Sequence, residues 1–143
     1  MEVTLNNAEA LNAFVSMRNI LQLKGLPIKT FWNISKNIKK IEKIYTTYIE
    51  CENKLVKQYA LKDEQGNICL HNENSINGLK GDPEFAPTMK AEYLIKRNEL
   101  LACENNLDIL TVKLSELDGH EDIMGTDLYN IMFMIDDNDN DNK

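Results

Sequence analysis

Histidine, cysteine, glycine and arginine are all scarce in this chain, and each shortage closes off a class of function. Two histidines and three cysteines among 143 residues leave few donors for a zinc site. No Cys-x-x-Cys or His-x-x-x-His spacing brings them together. Cys51, Cys69 and Cys103 are odd in number and far apart, so reduced thiols are expected rather than a disulfide framework. The six glycines never fall into either standard phosphate-cradling spacing. No apolar run approaches the roughly 18 residues needed to cross a bilayer. The opening Met1-Glu2-Val3-Thr4-Leu5-Asn6-Asn7 has neither the basic nor the apolar region of a secretory signal. A cytoplasmic protein without membrane association is the expectation.

What remains is helical pattern. Val3 and Leu5 alternate with polar neighbours, as in a short opening strand. Asn6 and Glu9 stand at capping-box spacing, which predicts a first helix bearing Leu11, Phe14, Val15, Arg18 and Leu21 on one stripe and ending at Gly25. From Pro27 the strongest signal begins. Phe31, Ile34, Ile38, Ile41, Tyr45, Tyr48, Glu52, Leu55 and Tyr59 recur at steps of three and four, and only Glu52 interrupts the apolar series. This heptad seam predicts a coiled-coil-like helix of roughly 33 residues, about 50 Å long, whose apolar stripe needs a partner from this chain or another.

A third helix is predicted from Pro87 to Glu104, with Ala91, Leu94, Asn98 and Leu101 as its stripe, antiparallel to the second half of helix two. The intervening loop of about 25 residues is long for a small domain. Residues 107–114 alternate and are β-branched, which predicts a strand pairing with Val3–Leu5. A last helix is expected after a Thr126 or Asp127 cap, carrying Leu128, Ile131, Met132 and Ile135. The expected fold is therefore α+β, mainly α: a long helical hairpin with a small two- or three-stranded sheet. One domain covers 1–135, and the acidic tail 136–143 is expected to be disordered.

Charge is unevenly placed. The net charge of −7 conceals nine carboxylates and one lysine between Ser115 and Lys143. Against these, Lys29, Lys36, Lys39, Lys40 and Lys43 are opposed only by Glu42 at the start of helix two. Lys29, Lys36, Lys40 and Lys43 share a face opposite or beside the seam. Solvation is the plain explanation of both regions; competition for a basic surface on a partner is the functional one. The lysine face suits nucleic acid poorly, because the chain has only two arginines to read bases and little aromatic interleaving.

No residue set supports catalysis. His71 and His120 are expected on exposed loops, and a pairing of either with a cysteine nucleophile has no supporting context. Asp63, Gln65 and Asn67 have a superficial likeness to a calcium loop, but Gly66 stands fourth rather than sixth and Asn74 holds the twelfth place. Trp32, the single tryptophan, is expected to pack under helix one, with an exposed binding anchor as the alternative. Tyr45, Tyr48 and Tyr59 read as seam packing. No enzyme activity, cofactor or metal is expected.

Tyr59-Ala60-Leu61-Lys62-Asp63-Glu64-Gln65-Gly66-Asn67 is similar to a stretch in small proteins of unknown function encoded by phages of low-GC Gram-positive bacteria. The resemblance covers the layout of residues 1–114 and the motif of these nine residues, and it implies a phage or prophage origin. Fourteen lysines to two arginines, with abundant Asn and Ile, agree with an AT-rich genome. The expected function is a non-catalytic protein-binding module that occupies a surface of a host or phage protein, as an inhibitor of a host or defence factor. Its expected contact residues are Trp32, Lys36, Lys40, Lys43, Asp118, Glu121, Asp122 and Asp127. The alternatives are a phage structural or assembly protein that forms a homodimer through helix two, and a weak nucleic-acid binder using the lysine face.

Overall fold

Asn6 opens the first helix as its spacing to Glu9 predicts. Its side-chain oxygen accepts from the Glu9 amide at 2.8 Å, while the Asn6 amide donates to the Glu9 carboxylate at 3.0 Å. Both otherwise orphaned groups of the first turn are thereby satisfied. The computed structural model describes residues 1–74, 78–117, 123 and 125–136. The elements run in the order β1 (Glu2–Asn6), α1 (Asn7–Leu21), α2 (Ile28–Tyr59), α3 (Pro87–Leu101), β2 (Glu104–Asp108), β3 (Val112–Lys113), α4 (Leu114–Leu117), α5 (Gly125–Asn130), a 3-10 turn (Met132–Met134) and β4 (Ile135–Asp136). The fold is mainly helical with small two-stranded sheets, as expected. Among the described residues, no helix is long and apolar enough to cross a membrane. Of the acidic tail 136–143, expected to be disordered, Asp136 instead pairs with Lys113 in β4, and residues 137–143 lie outside the described residues.

Contacts divide the chain into two compact units. One holds Met1–Thr46 with the chain from Ala102 onward; the other holds Thr47–Leu101. Helix α2 contributes its first part to one and its remainder to the other.

In the first unit, β1 and β2 pair antiparallel with Val3 opposite Leu107 and Leu5 opposite Asn105. The core gathers Leu5, the α1 residues Ala10, Ala13, Phe14, Met17 and Ile20, the α2 residues Ile34 and Ile41, and Ile109, Val112, Leu117, Ile131 and Met134. The stripe read for α1 is corrected by about one position: Ala13 and Met17 are buried, whereas Val15 is exposed. Ala10 and Ala13 are both fully buried, a packing signal that a search for large apolar residues passes over. The helix also stops at Leu21, short of Gly25, which instead takes a positive φ of 82° in the turn leading to α2.

The predicted strand 107–114 is broken in two, and the break has a visible cause. Four polar side chains of α2, spaced three, four and three residues apart, grip the segment 108–116 from one edge. Lys40 donates to the Asp108 carbonyl, Asn37 pairs with Leu110, Asn33 donates to the Thr111 carbonyl at 3.2 Å, and Thr30 donates to the Glu116 carboxylate. The Asn37 amide is fully buried and makes both contacts to one residue: its nitrogen donates to the Leu110 carbonyl at 2.7 Å, and its oxygen accepts from the Leu110 amide at 2.8 Å. A side chain thus takes the place of a neighbouring strand, and the ladder stops there. Val112 and Lys113 then pair parallel with Ile135 and Asp136. That pairing corrects the last predicted helix, which ends at Asn130 and gives way to the 3-10 turn and β4. Thr126 and Asp127 lie within α5 rather than capping it.

The second unit is the expected helical hairpin. Between the end of α2 and α3, the described residues 60–74 and 78–86 include short extended pieces, with the backbones of Leu61, Cys69 and Glu84 linked in turn at 2.8–2.9 Å. The stripe predicted for α3 is not the one that packs. Tyr93 is its buried residue, stacked on Phe85, while Ala91, Leu94 and Asn98 are exposed.

Replacing Asn37 with leucine should therefore cost more than a typical core substitution. The part-buried N–H and C=O of Leu110 would both lose their partners, at about 1 kcal/mol each, on top of the strain of seating a leucine at a fully buried position. The expected outcome is a fall in the urea midpoint at unchanged m-value, and a variant as stable as the parent would remove Asn37 as the cause of the break.

Candidate functional site

The seam of α2 is largely spent on its own chain. Ile34 and Ile41 are fully buried, and Tyr48 is 2% exposed. A homodimer through this seam, one of the sequence-based alternatives, would therefore find its central residues already covered. What α2 leaves open is the opposite face. Ile28, Trp32, Lys36, Lys39 and Lys43 follow one another at steps of four, four, three and four, and all five are exposed. At about 100° per residue they form one line along the helix, diametrically across from Ile34 and Ile41.

Trp32 is 59% exposed, which overturns the expectation that it packs under helix one. Thr30, Ile34, Asn37 and Ile41 occupy the inward side of the same turns, so the indole has nowhere to go but out. The Lys36 ammonium lies 5.2 Å from the centre of the Trp32 ring, over its electron-rich face. Ile28, at 82% exposure, and Phe31, at 43%, extend the apolar patch by one turn. The signal was present in the sequence: Trp32 shares the spacing of the lysines, not that of the isoleucines.

The other expected contact residues divide. Lys43 shares the open face with Lys36. Lys40 belongs instead to the polar ladder, its ammonium held on the Asp108 carbonyl. Asp127 is half-buried and receives the Asn19 side-chain amide at 3.4 Å, so it works inside the first unit. Asp118, Glu121 and Asp122, like His120, lie outside the described residues. The structure therefore brings together Trp32, Lys36 and Lys43 and adds Ile28, Phe31 and Lys39, which the contact set lacked.

The second unit contains a groove of about 410 Å³ lined by Leu61, His71, Glu84, Phe85, Pro87, Lys90, Ala91 and Leu94. His71 Nδ1 lies 3.7 Å from a Glu84 carboxylate oxygen, and its ring packs so closely on Gly78 that a Cβ there would sit 2.7 Å from two ring atoms. The imidazole is thus held in place by its surroundings. Cys69, the nearest thiol in sequence, does not line the groove. Asp63 directs its carboxylate back to the Gln65 and Asn67 amides at 2.9 Å, as an Asx turn does. Among the described residues, no group of three or more His, Cys, Asp or Glu side chains is placed to hold a metal ion.

Glu52, the one polar interruption of the heptad seam, has a structural use. One of its oxygens accepts from the Arg97 Nε at 3.2 Å and from the Tyr93 hydroxyl at 3.3 Å, which fixes the register of α3 on α2. The Tyr48 hydroxyl is buried close by without a well-formed hydrogen bond. Burial, and then the negative charge of Glu52, pushes its pKa from 10.0 to about 12; the same two causes raise Tyr93. Arg97 remains more than a third exposed, so water screens its pair with Glu52, and Glu52→Ala should cost only about 1 kcal/mol in a thermal or urea melt.

A raised tyrosine pKa stabilises the fold below the unfolded value and loses that contribution as pH climbs through the folded one. Stability should hence fall between pH 10 and about 12. The decline should be shallower in Tyr48→Phe, and that variant should lose a late-ionising component of the tyrosinate absorbance. A tyrosinate titration unchanged by Tyr48→Phe would contradict this environment.

With this geometry in hand, no family model, curated protein or solved structure matches the chain.

Proposed function

We propose that this chain is a non-catalytic protein-binding module, and that it occupies a partner's surface with the outer face of the first turns of α2. The observation that carries the reading is the exposed Trp32, flanked by Ile28 and Phe31 and continued by Lys36, Lys39 and Lys43. An indole on a rigid helix buries a large area with little loss of conformational freedom, which is why tryptophan dominates so many binding surfaces. The lysines determine the chemistry of the partner: an apolar pocket bordered by carboxylates. The resemblance at Tyr59–Asn67 suggests that this partner is a protein of a bacterial host or of the phage itself, with inhibition of a host or defence factor as the consequence.

Nucleic acid is the competing ligand for a basic stripe. Phosphates alone would draw on the lysines and leave Ile28 and Phe31 unused, so the protein reading takes in more of the surface. Pairing of copies through the α2 seam has lost its motivation, because the chain buries that seam itself.

Affinity capture from bacterial lysate provides the test. A partner retained by the parent should weaken by about 30-fold on Trp32→Ala, the order of 2 kcal/mol of a central aromatic anchor. It should weaken more modestly on Lys36→Glu with Lys43→Glu, with far-ultraviolet dichroism unchanged in both. Capture indifferent to Trp32 would refute the surface. Retention on DNA or RNA that collapses with salt, and depends on the lysines alone, would replace protein with nucleic acid. Since Trp32 is the only tryptophan, its fluorescence reports directly: a red-shifted, readily quenched emission is expected for the free chain, moving to the blue when the partner is bound.

A further inference from the structure

Helix α3 presents a second open surface, unrelated to Trp32. Of its apolar residues only Tyr93 is buried; Leu94 is 42% and Ile95 58% exposed. Ala91 and Asn98 are exposed beside them, and Leu101 is half-buried. At about 100° per residue these five positions span an arc of roughly 120° along the helix, and none of them is charged. The charged residues of α3 lie on the remainder of its circumference. Lys90 and Arg97 border one side of the arc, Glu92 and Glu99 stand beyond the other, and Lys96 lies at the back.

We propose that a second copy of this chain covers the arc. In this pair the two α3 helices pack along Ala91, Leu94, Asn98 and Leu101, and Asn98 lies opposite its counterpart. Three features select a copy of the chain over a foreign partner. A two-fold contact places the same patch on both sides, and this stripe, with small Ala91 beside large Leu94, can interdigitate with itself. Asn98 would leave its amide unsatisfied against a purely apolar partner, whereas its counterpart offers both a donor and an acceptor, the arrangement by which a single asparagine fixes register in paired helices. The borders are of opposite sign as well: a parallel pair sets Lys90 and Arg97 of one helix beside Glu92 and Glu99 of the other. Within each chain Arg97 already holds Glu52 and Glu99 lies 3.6 Å from Lys96, so this attraction adds to the pair rather than carrying it.

The available area determines how strong the pair can be. A helix of 15 residues is about 22 Å long and covers on the order of 400–500 Å² against its equal, short of the roughly 800 Å² per partner of a standard interface. The pair is therefore weak and populated only as concentration rises.

Sedimentation equilibrium of the full chain should show its mass rising from 16.4 kDa toward twice that value between about 1 µM and about 1 mM. Leu94→Glu with Ile95→Glu, surface changes that spare the buried Tyr93, should hold it at the lower mass with unchanged helicity. Independently, a chain with its three cysteines changed to serine and carrying Asn98→Cys should cross-link to itself on mild oxidation. The same background carrying Glu50→Cys, on the exposed side of α2, should not. A mass fixed at 16.4 kDa throughout, a dimer surviving the double glutamate change, or equal cross-linking from positions 50 and 98 would each overturn the proposal.

Discussion

The arrangement of the first unit depends on one constraint: between β2 and β3 the backbone at Leu110 and Thr111 is paired by side chains of a helix, not by a neighbouring strand. Lys40, Asn37, Asn33 and Thr30 meet the segment 108–116 in descending order as it runs back along α2. The Asn37 pair at Leu110 is part-buried, where a backbone group left without a partner costs part of the hydrogen bond it lacks, so this contact helps to hold the segment in position. Where the ladder releases it, at Val112, the chain is free to pair with β4. The core then closes over Ile109, Val112 and Met134, with the Met134 sulfur 3.7 Å from the Asn37 amide nitrogen.

This makes α2 a helix with three distinct sides. The isoleucine seam packs into the chain, the polar ladder runs along one edge of that seam, and the lysine line with Trp32 faces outward. Lys40 shows why such sides must be separated by geometry as well as by residue type. It has the same charge as Lys36 and Lys43, yet its place in the three–four–three series commits it to a carbonyl. Farther along, Glu52 is a polar residue within the seam itself, and it seats Arg97 and Tyr93 of α3. The functional proposals use what these structural commitments leave uncovered: Trp32 with Lys36, Lys39 and Lys43 on α2, and the uncharged arc on α3.

Much of this could be read from the residues. The capping box at Asn6 and the extent of α2 follow from short-range rules of spacing and capping; the hairpin with α3 and the pairing of Val3–Leu5 with the chain near Leu107 follow only from the scarcity of other elements to cover them. Other expectations failed for a common reason. The stripes of α1 and α3 were inferred from helical spacing and the continuous strand 107–114 from alternation and β-branching, and each was decided by something else. Alanines took inward positions in α1, a tyrosine with a hydrogen-bonding hydroxyl took the inward side of α3, and an asparagine amide replaced a strand neighbour at Leu110.

The candidate surface divides in the same way. Its lysines could be assigned to one face from sequence alone, and Trp32 could have been assigned with them, because helical periodicity is a local property that the chain carries wherever it goes. Sequence alone thus determined where the helices lie, which residues share a side of each, and where charge accumulates. Tertiary structure alone decided which side faces inward. That choice depends on which distant segment offers matching hydrogen-bond partners and volume, as 108–116 does for Thr30, Asn33, Asn37 and Lys40, and no local pattern encodes the identity of a partner some seventy to ninety residues away.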